Sequence, residues 1–390
     1  MPELGKIMKI NWQTKKLGEL YQIGSSKRVL KSQWKTSGVP FYRGREITRL
    51  AADGFVDNEL YISEEHFAQL SEQTGVPQAG DIVLTAIGTI GNSYVVRDSD
   101  RFYFKDASVL WLKQGIEVRS EFVNMWLKSP LFFDQLDRGN GATVDTLTIQ
   151  KLQSLELHIP PLAEQRRIVK ILDDILSKIS KAKENTEKNL QNSKELFGSY
   201  LQSVFANPGT DWEEKKLNEI SENMDNKRIP ITKKFRTSGE YPYYGASGVV
   251  DYVGEYIFDN DLLLVSEDGA NLLARTYPIA FSISGKSWVN NHAHILRFEK
   301  IHTQKFVEYY LNSIKLNPYV SGMAQPKLNQ KMLNAIPIPY PPLLNQKAIV
   351  TKLDALSAET KKLEAIYTQK LADLEELKKS VLKKAFAGEL

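Results

Sequence analysis

The 390-residue chain contains no cysteine, which excludes disulfides and thiolate metal sites. It has no run of about 18 apolar residues, so no membrane-spanning helix is expected. Its first residues, MPELGKIMKINWQTKK, lack the apolar core of a secretion signal. A cytoplasmic location is therefore the expectation. An excess of either charge is also missing: 51 Lys and Arg stand against 47 Asp and Glu, a net charge of +4. Such a balance permits a nucleic-acid partner without arguing for one. The 42% hydrophobic and 10% aromatic content fits a folded chain long enough for two to four domains.

What the chain does have is a duplication. NWQTKKLGEL at 11–20 returns as DWEEKKLNEI at 211–220, and PPLAEQRRIVKIL at 160–172 returns as PPLLNQKAIVTKL at 341–353. SYLQSVFAN at 199–207 keeps that second offset against SVLKKAFAG at 380–388. Repeats of this kind imply two tandem modules, each a globular part followed by a long helix. The offset shifts between the first pair of phrases and the second, so the globular parts differ in length while the helices match. The boundaries read as 1–160 for the first globular part, 161–208 for a central helix, 209–340 for the second globular part and 341–390 for a C-terminal helix.

Both globular parts mix short β-type runs with helical ones. DIVLTAIG (81–88), SYVVRD (93–98) and SVLWLK (108–113) are strand-like, whereas 119–137 reads as helix. The expected class is α+β. Pro160-Pro161 and Pro341-Pro342 mark helix starts, since proline is tolerated there and not inside. The first helix has an apolar seam of Ile168, Leu172, Ile175 and Ile179, which weakens and returns at Leu196. The second has Ile349, Leu353, Leu356, Leu363, Leu374 and Leu377. Alternating spacings of four and three are a heptad pattern. The helices could be independent, but their equal length favours pairing. A linker of about five residues between Asn207 and Trp212 reaches at most about 17 Å. Each helix of about 43 residues is about 65 Å long. Paired helices must then run antiparallel, giving a two-helix coiled-coil stalk between two heads and a pseudo-two-fold internal repeat.

The PPL-x-x-Q-x-x-I-V-x-x-L phrases resemble the helix entries of type I restriction-modification specificity subunits. GDIVLTAIGTIG (80–91), YYGASGVVDYV (243–253), LLLVSEDGAN (262–271) and GKSWVNNHAHIL (285–296) are similar to phrases of their target-recognition domains. The resemblance covers nearly the whole chain; Asn345 replaces the Glu164 of the first copy. It implies a non-catalytic subunit that binds a bipartite site on double-stranded DNA. It also implies two adenine methyltransferase subunits assembled on the chain, and motor-nuclease restriction subunits joined through them. S-adenosylmethionine, ATP and Mg²⁺ would belong to those partners, with no cofactor or metal in this chain.

Signals of chemistry within the chain are weak. AFSISGKS (280–287) meets a relaxed phosphate-loop pattern, but Ala280 replaces the first Gly and a strand-like run follows. A β-hairpin turning at Ser284-Gly285 is the better expectation. His292 and His294 share a strand face and read as structural rather than as metal ligands. Glu267 and Asp268 beside Gly269 read as a turn rather than a catalytic carboxylate pair. No Asn/Asp-Pro-Pro-Tyr/Phe methyltransferase phrase occurs.

DNA contacts need Arg, Lys, Asn or Gln at base edges and phosphates. In the first module the candidates are Arg43, Arg45 and Arg49, with Asn140 and Thr143 in a Gly-containing loop. In the second they are Lys227, Arg228, Lys233, Lys234 and Arg236, with Gln325 and Lys327 in the corresponding loop. Solvated basic loops are the rival reading. At the level of function, the rivals are a coiled-coil scaffold with protein-binding heads and a self-sufficient nuclease or ATPase.

Overall fold

The computed structural model describes residues 12–115, 117–136, 146–322 and 325–390; Asn140 and Thr143 lie outside them. The chain forms two compact units, Met1–Thr186 with Lys370–Leu390, and Glu187–Gln369. The cut passes through both long helices, Leu162–Ala206 and Leu343–Phe386, so each unit takes one end of each. Among the described residues, no helix is long and apolar enough to cross a membrane.

In the first unit the strands are β1 (Gln13–Lys16), β2 (Gln22–Gly24), β3 (Val39–Tyr42), β4 (Tyr61–Ile62), β5 (Ile82–Thr85), β6 (Ser93–Val95), β7 (Tyr103–Phe104), β8 (Val109–Lys113) and β9 (Glu156–Ile159). They form an antiparallel sheet ordered β2-β8-β5-β6, a second sheet ordered β4-β3-β7, and a β1-β9 ladder. Ile82 and Leu84 face a core with Phe122, Trp126 and Phe132; Val83 faces another with Ile47, Phe104 and Trp111. A sheet covered on both faces explains why 82–84 reads as a continuous apolar run rather than an alternation. The helical stretch near 119–137 breaks at Lys128-Ser129 into Ser120–Leu127 and Pro130–Leu136.

The second unit repeats the plan with β10 (Glu213–Lys216), β11 (Glu222–Asn223), β12 (Ser238–Gly245), β13 (Gly248–Val253), β14 (Phe258–Asp259), β15 (Leu262–Ser266), β16 (Ala280–Ile283), β17 (Lys286–Val289), β18 (Ala293–Arg297) and β19 (Pro337–Tyr340). The sheet order β11-β18-β15-β16 matches the first unit's, as does the β10-β19 ladder. The other sheet runs β13-β12-β17-β14, and its parallel pair Tyr243↔Trp288 corresponds to Phe41↔Tyr103. The expected hairpin at Ser284-Gly285 is not formed. β16 pairs with β15, and β17 pairs with β12 and β14 in a different sheet. Ser287, Trp288 and Val289 are all buried, which a surface hairpin could not provide. Gly285, at φ 76°, turns the chain from one sheet into the next.

The repeated glutamine of the PPL-x-x-Q phrase has a structural task. Gln165 Nε2 donates to the Pro160 carbonyl at 2.9 Å and its Oε1 accepts from the Arg119 amide at 2.8 Å. Gln346 likewise donates to the Pro341 carbonyl at 2.8 Å and accepts from the Thr303 hydroxyl at 2.7 Å. Each buried glutamine ties its helix entry to a helix of the adjacent globular part.

Within each unit the long helices pair antiparallel, as the linker length required. In the first, Ile168 and Leu172 share a core with Leu382, Ala385 and Phe386, while Lys183 Nζ lies 2.6 Å from Glu375. In the second, Phe205 packs in a core with Val350 and Ile349, and the Lys352 ammonium sits 4.8 Å over the Tyr200 ring. Ile168, Leu172, Ile179 and Leu353 are buried; Ile175, Ile349, Leu356, Leu363 and Leu374 are half-buried. Two seam expectations fail. Leu196 is 52% exposed and Leu377 48%. Each lies four heptads beyond the first seam residue of its helix. A strict 3.5-residue repeat falls about 20° behind a straight helix per heptad, so about 80° over four. The buried face has moved on by one residue at Phe197, whose ring is 6.2 Å from Tyr309. Buried Thr186, Ser193 and Thr360 continue the seam and donate to carbonyls four residues back.

Candidate functional site

The cations singled out in the sequence separate into two kinds. Some are tied down. Arg43 Nη2 lies 2.8 Å from Glu46, Arg45 also pairs with Glu46 and with Glu59, and the Arg43 amide donates to Glu46 Oε2 at 2.9 Å. Glu46 is buried at the start of helix Gly44–Asp53, where its carboxylate satisfies the amide of the N-cap residue Arg43. Burial would push its carboxyl up; the hydrogen bonds from Arg43 and Arg45 outweigh that and hold it below the usual range.

In the second unit Arg228 and Lys327 converge on Glu267, at 2.6 and 3.2 Å. Arg228 also donates to the Asp225 and Ala293 carbonyls. Beneath them, buried His294 bridges Asp225 Oδ2 at 2.6 Å and the Leu328 carbonyl at 2.8 Å. Its contacts are structural, as expected. Burial raises the Asp225 carboxyl, but His294, the Ile295 amide and Arg228 bring it below its ordinary value. Glu267 is lowered in the same way, burial being offset chiefly by Arg228. Glu267 and Asp268 are thus network anchors rather than only a turn, Asp268 holding exposed His292 at 2.9 Å. Arg236 pairs with Asp251 at 2.9 Å, and its guanidinium lies 4.3 Å from the Tyr243 ring centroid.

The rest are free. Arg49, Lys227, Lys233 and Lys234 are exposed and make no ion pair among the described residues. Gln325 is exposed, next to buried Pro326. Sequence reasoning missed Glu46 and Asp225, although the i,i+3 spacings Arg43/Glu46 and Asp225/Arg228 signal both, and it read Glu267 only as part of a turn. It also missed Phe235 and Lys286; the Lys286 ammonium sits over the Tyr256 ring at 4.8 Å and the Tyr241 ring at 5.8 Å. Lys286 opens a strand, not a helix, so Gly285-Lys286-Ser287 offers no phosphate cradle. Among the described residues, no group of three or more His, Asp or Glu could hold a metal ion.

The arrangement supplies short, cation-bearing turns on rigid sheets, differing between two units of the same topology. Residues 9–190 and 209–374 match the family described as the type I restriction modification DNA specificity domain. A type I restriction enzyme specificity subunit of Haemophilus influenzae is 37% identical over 162 residues, which is 42% of this chain and 41% of that one. The EcoDI specificity subunit of Escherichia coli is 22% identical over 98% of this chain and 89% of its own. Among solved structures, a chain of a type I R-M system superimposes with a TM-score of 0.78 at 18% identity, covering 98% of this chain and 99% of that one. The HsdS subunit from Thermoanaerobacter tengcongensis does so with 0.61 at 20% identity, covering 98% of each.

Proposed function

The chain belongs to the type I restriction modification DNA specificity family, and on that footing we propose that it reads a split DNA sequence, one half per unit, for a methyltransferase. The supporting observation is that one sheet topology occurs twice while the exposed turns carried on it differ. A symmetric binder of one repeated half-site would not need two sets of surface residues. In this reading the chain is non-catalytic. Two adenine methyltransferase subunits assemble on it and bring S-adenosylmethionine; motor-nuclease subunits that join through them bring ATP and Mg²⁺.

The test is selection from a randomised duplex pool, with and without the methyltransferase partner, followed by sequencing of bound and methylated molecules. The expected product is two unlike half-sites at a fixed separation. A single contiguous site, or no enrichment, would overturn the reading. The purified chain alone, given ATP and Mg²⁺, should neither cut DNA nor hydrolyse ATP.

A further inference from the structure

In the second unit a pinned turn holds an aromatic ring out among cations. Residues 229–236 lie against the β13-β12-β17-β14 sheet and are fastened to it repeatedly. Trp288 Nε1 donates to the Ile229 carbonyl at 2.6 Å. The Ile231 amide donates to the Tyr243 hydroxyl at 3.2 Å, and that hydroxyl donates to the Ile231 carbonyl at 3.3 Å. Arg236 closes the turn: its Nε donates to the Ile231 carbonyl at 3.1 Å while its outer nitrogen holds Asp251. On this support the one-turn 3-10 helix Lys233–Phe235 points outward. Phe235 is 75% exposed, more than any other aromatic side chain described. A benzyl group kept in water on a rigid base contributes nothing to the core beneath it.

The first unit builds the same support. Tyr103, which stands in the parallel strand where Trp288 does, accepts from the Lys27 amide at 2.8 Å. Trp34 closes the 3-10 turn Lys31–Gln33 and packs 6.0 Å from Phe41, as Arg236 packs on Tyr243. The crown differs: Gln33 occupies the position of Phe235, and its side chain accepts from the Leu30 amide. A repeated support with a varied crown is what a sequence-reading position requires.

Resting on the function proposed above, we propose that Phe235 is a DNA wedge for the second half-site. Its ring presses into a base step while Lys233 and Lys234 hold the flanking phosphates. Arg236 is a positioning residue for this turn and not a phosphate contact. A wedge of this kind favours steps that unstack easily, pyrimidine–purine steps above all.

The test uses the full chain assembled with its methyltransferase and the target found by pool selection, carrying 2-aminopurine at successive steps of the second half-site. Wild type should raise the fluorescence at one step. Phe235→Ala should abolish that rise and weaken binding roughly five- to fifty-fold, with the salt dependence unchanged because no charge is lost. Phe235→Leu should retain most of both. Lys233→Ala with Lys234→Ala should instead flatten the salt slope by about 0.9 per lost contact. Arg236→Ala should lose the fluorescence signal with little change in slope. A Phe235→Ala complex that binds and unstacks DNA like wild type overturns the proposal, as does one that fails only to assemble with the methyltransferase. A wild-type complex with no half-site preference overturns the parent reading, and this one with it.

Discussion

Glu46 and Asp225 are carboxylates held low in the folded chain against the upward push of their own burial. A folded value below the unfolded one contributes stability that is fully present above the unfolded pKa, about 4, and is lost as pH falls through the folded value. Urea midpoints should therefore stay flat from about pH 8 to 5 and fall below that; Glu46→Gln with Asp225→Asn should flatten the acid limb. A limb of unchanged depth would remove both groups as its cause. Both ring nitrogens of His294 are engaged, one by the Asp225 carboxylate and the other by the Leu328 carbonyl. His294→Ala removes one of the groups that hold the buried Asp225 carboxylate, leaving the Ile295 amide and Arg228, and should destabilise the second unit by about 1–3 kcal/mol, read by urea denaturation.

The long helices show how far an element can be read from its pattern. Their starts, ends and antiparallel pairing were legible, because proline placement and linker reach are local constraints. The seam was legible for about three heptads and then slipped, because the 3.5-residue repeat and the helix itself are not commensurate. Leu172→Ala and Leu353→Ala should each lose about 2–5 kcal/mol, since both side chains are buried. Leu196→Ala and Leu377→Ala should stay within about 0.5 kcal/mol. Denaturant midpoints of the four variants decide it; equal losses would restore the strict heptad seam. The glutamine of each helix entry was visible as a repeated letter, but its partners Arg119 and Thr303 lie about 45 residues away in sequence, beyond any local pattern.

At the scale of the molecule, each cargo domain leaves and rejoins its framework beside one ladder. β1 pairs with β9 from Gln13↔Ile159 to Lys16↔Glu156, and β10 pairs with β19 from Glu213↔Tyr340 to Lys216↔Pro337. Replacing residues 22–147 with the corresponding segment of another family member should thus change one half-site and leave the other. Methylation sequencing reads the outcome, and a change in both half-sites would end the modular account. The duplication and the mixed α+β texture could be read from the chain because the framework phrases repeat in the same order, with about half of their residues identical. The candidate contacts could not be sorted. Arg228 and Arg236 look like Lys233 in sequence, and only their tertiary partners Glu267 and Asp251 set them apart.

The core of the first unit is finished by a segment from far along the chain. Phe386 meets Phe122 edge-on at 5.1 Å, and Leu382 and Ala385 are buried in the same cluster. On a ribosome adding about 5–20 residues per second, those side chains are made about 200 residues after Thr186, a delay of roughly 10–40 s. Throughout that interval the nascent first unit has an open apolar seam along Ile168 and Leu172. Its native closure within one chain is therefore timed by translation of the second unit, and a message that stops early leaves that seam uncovered by its own chain.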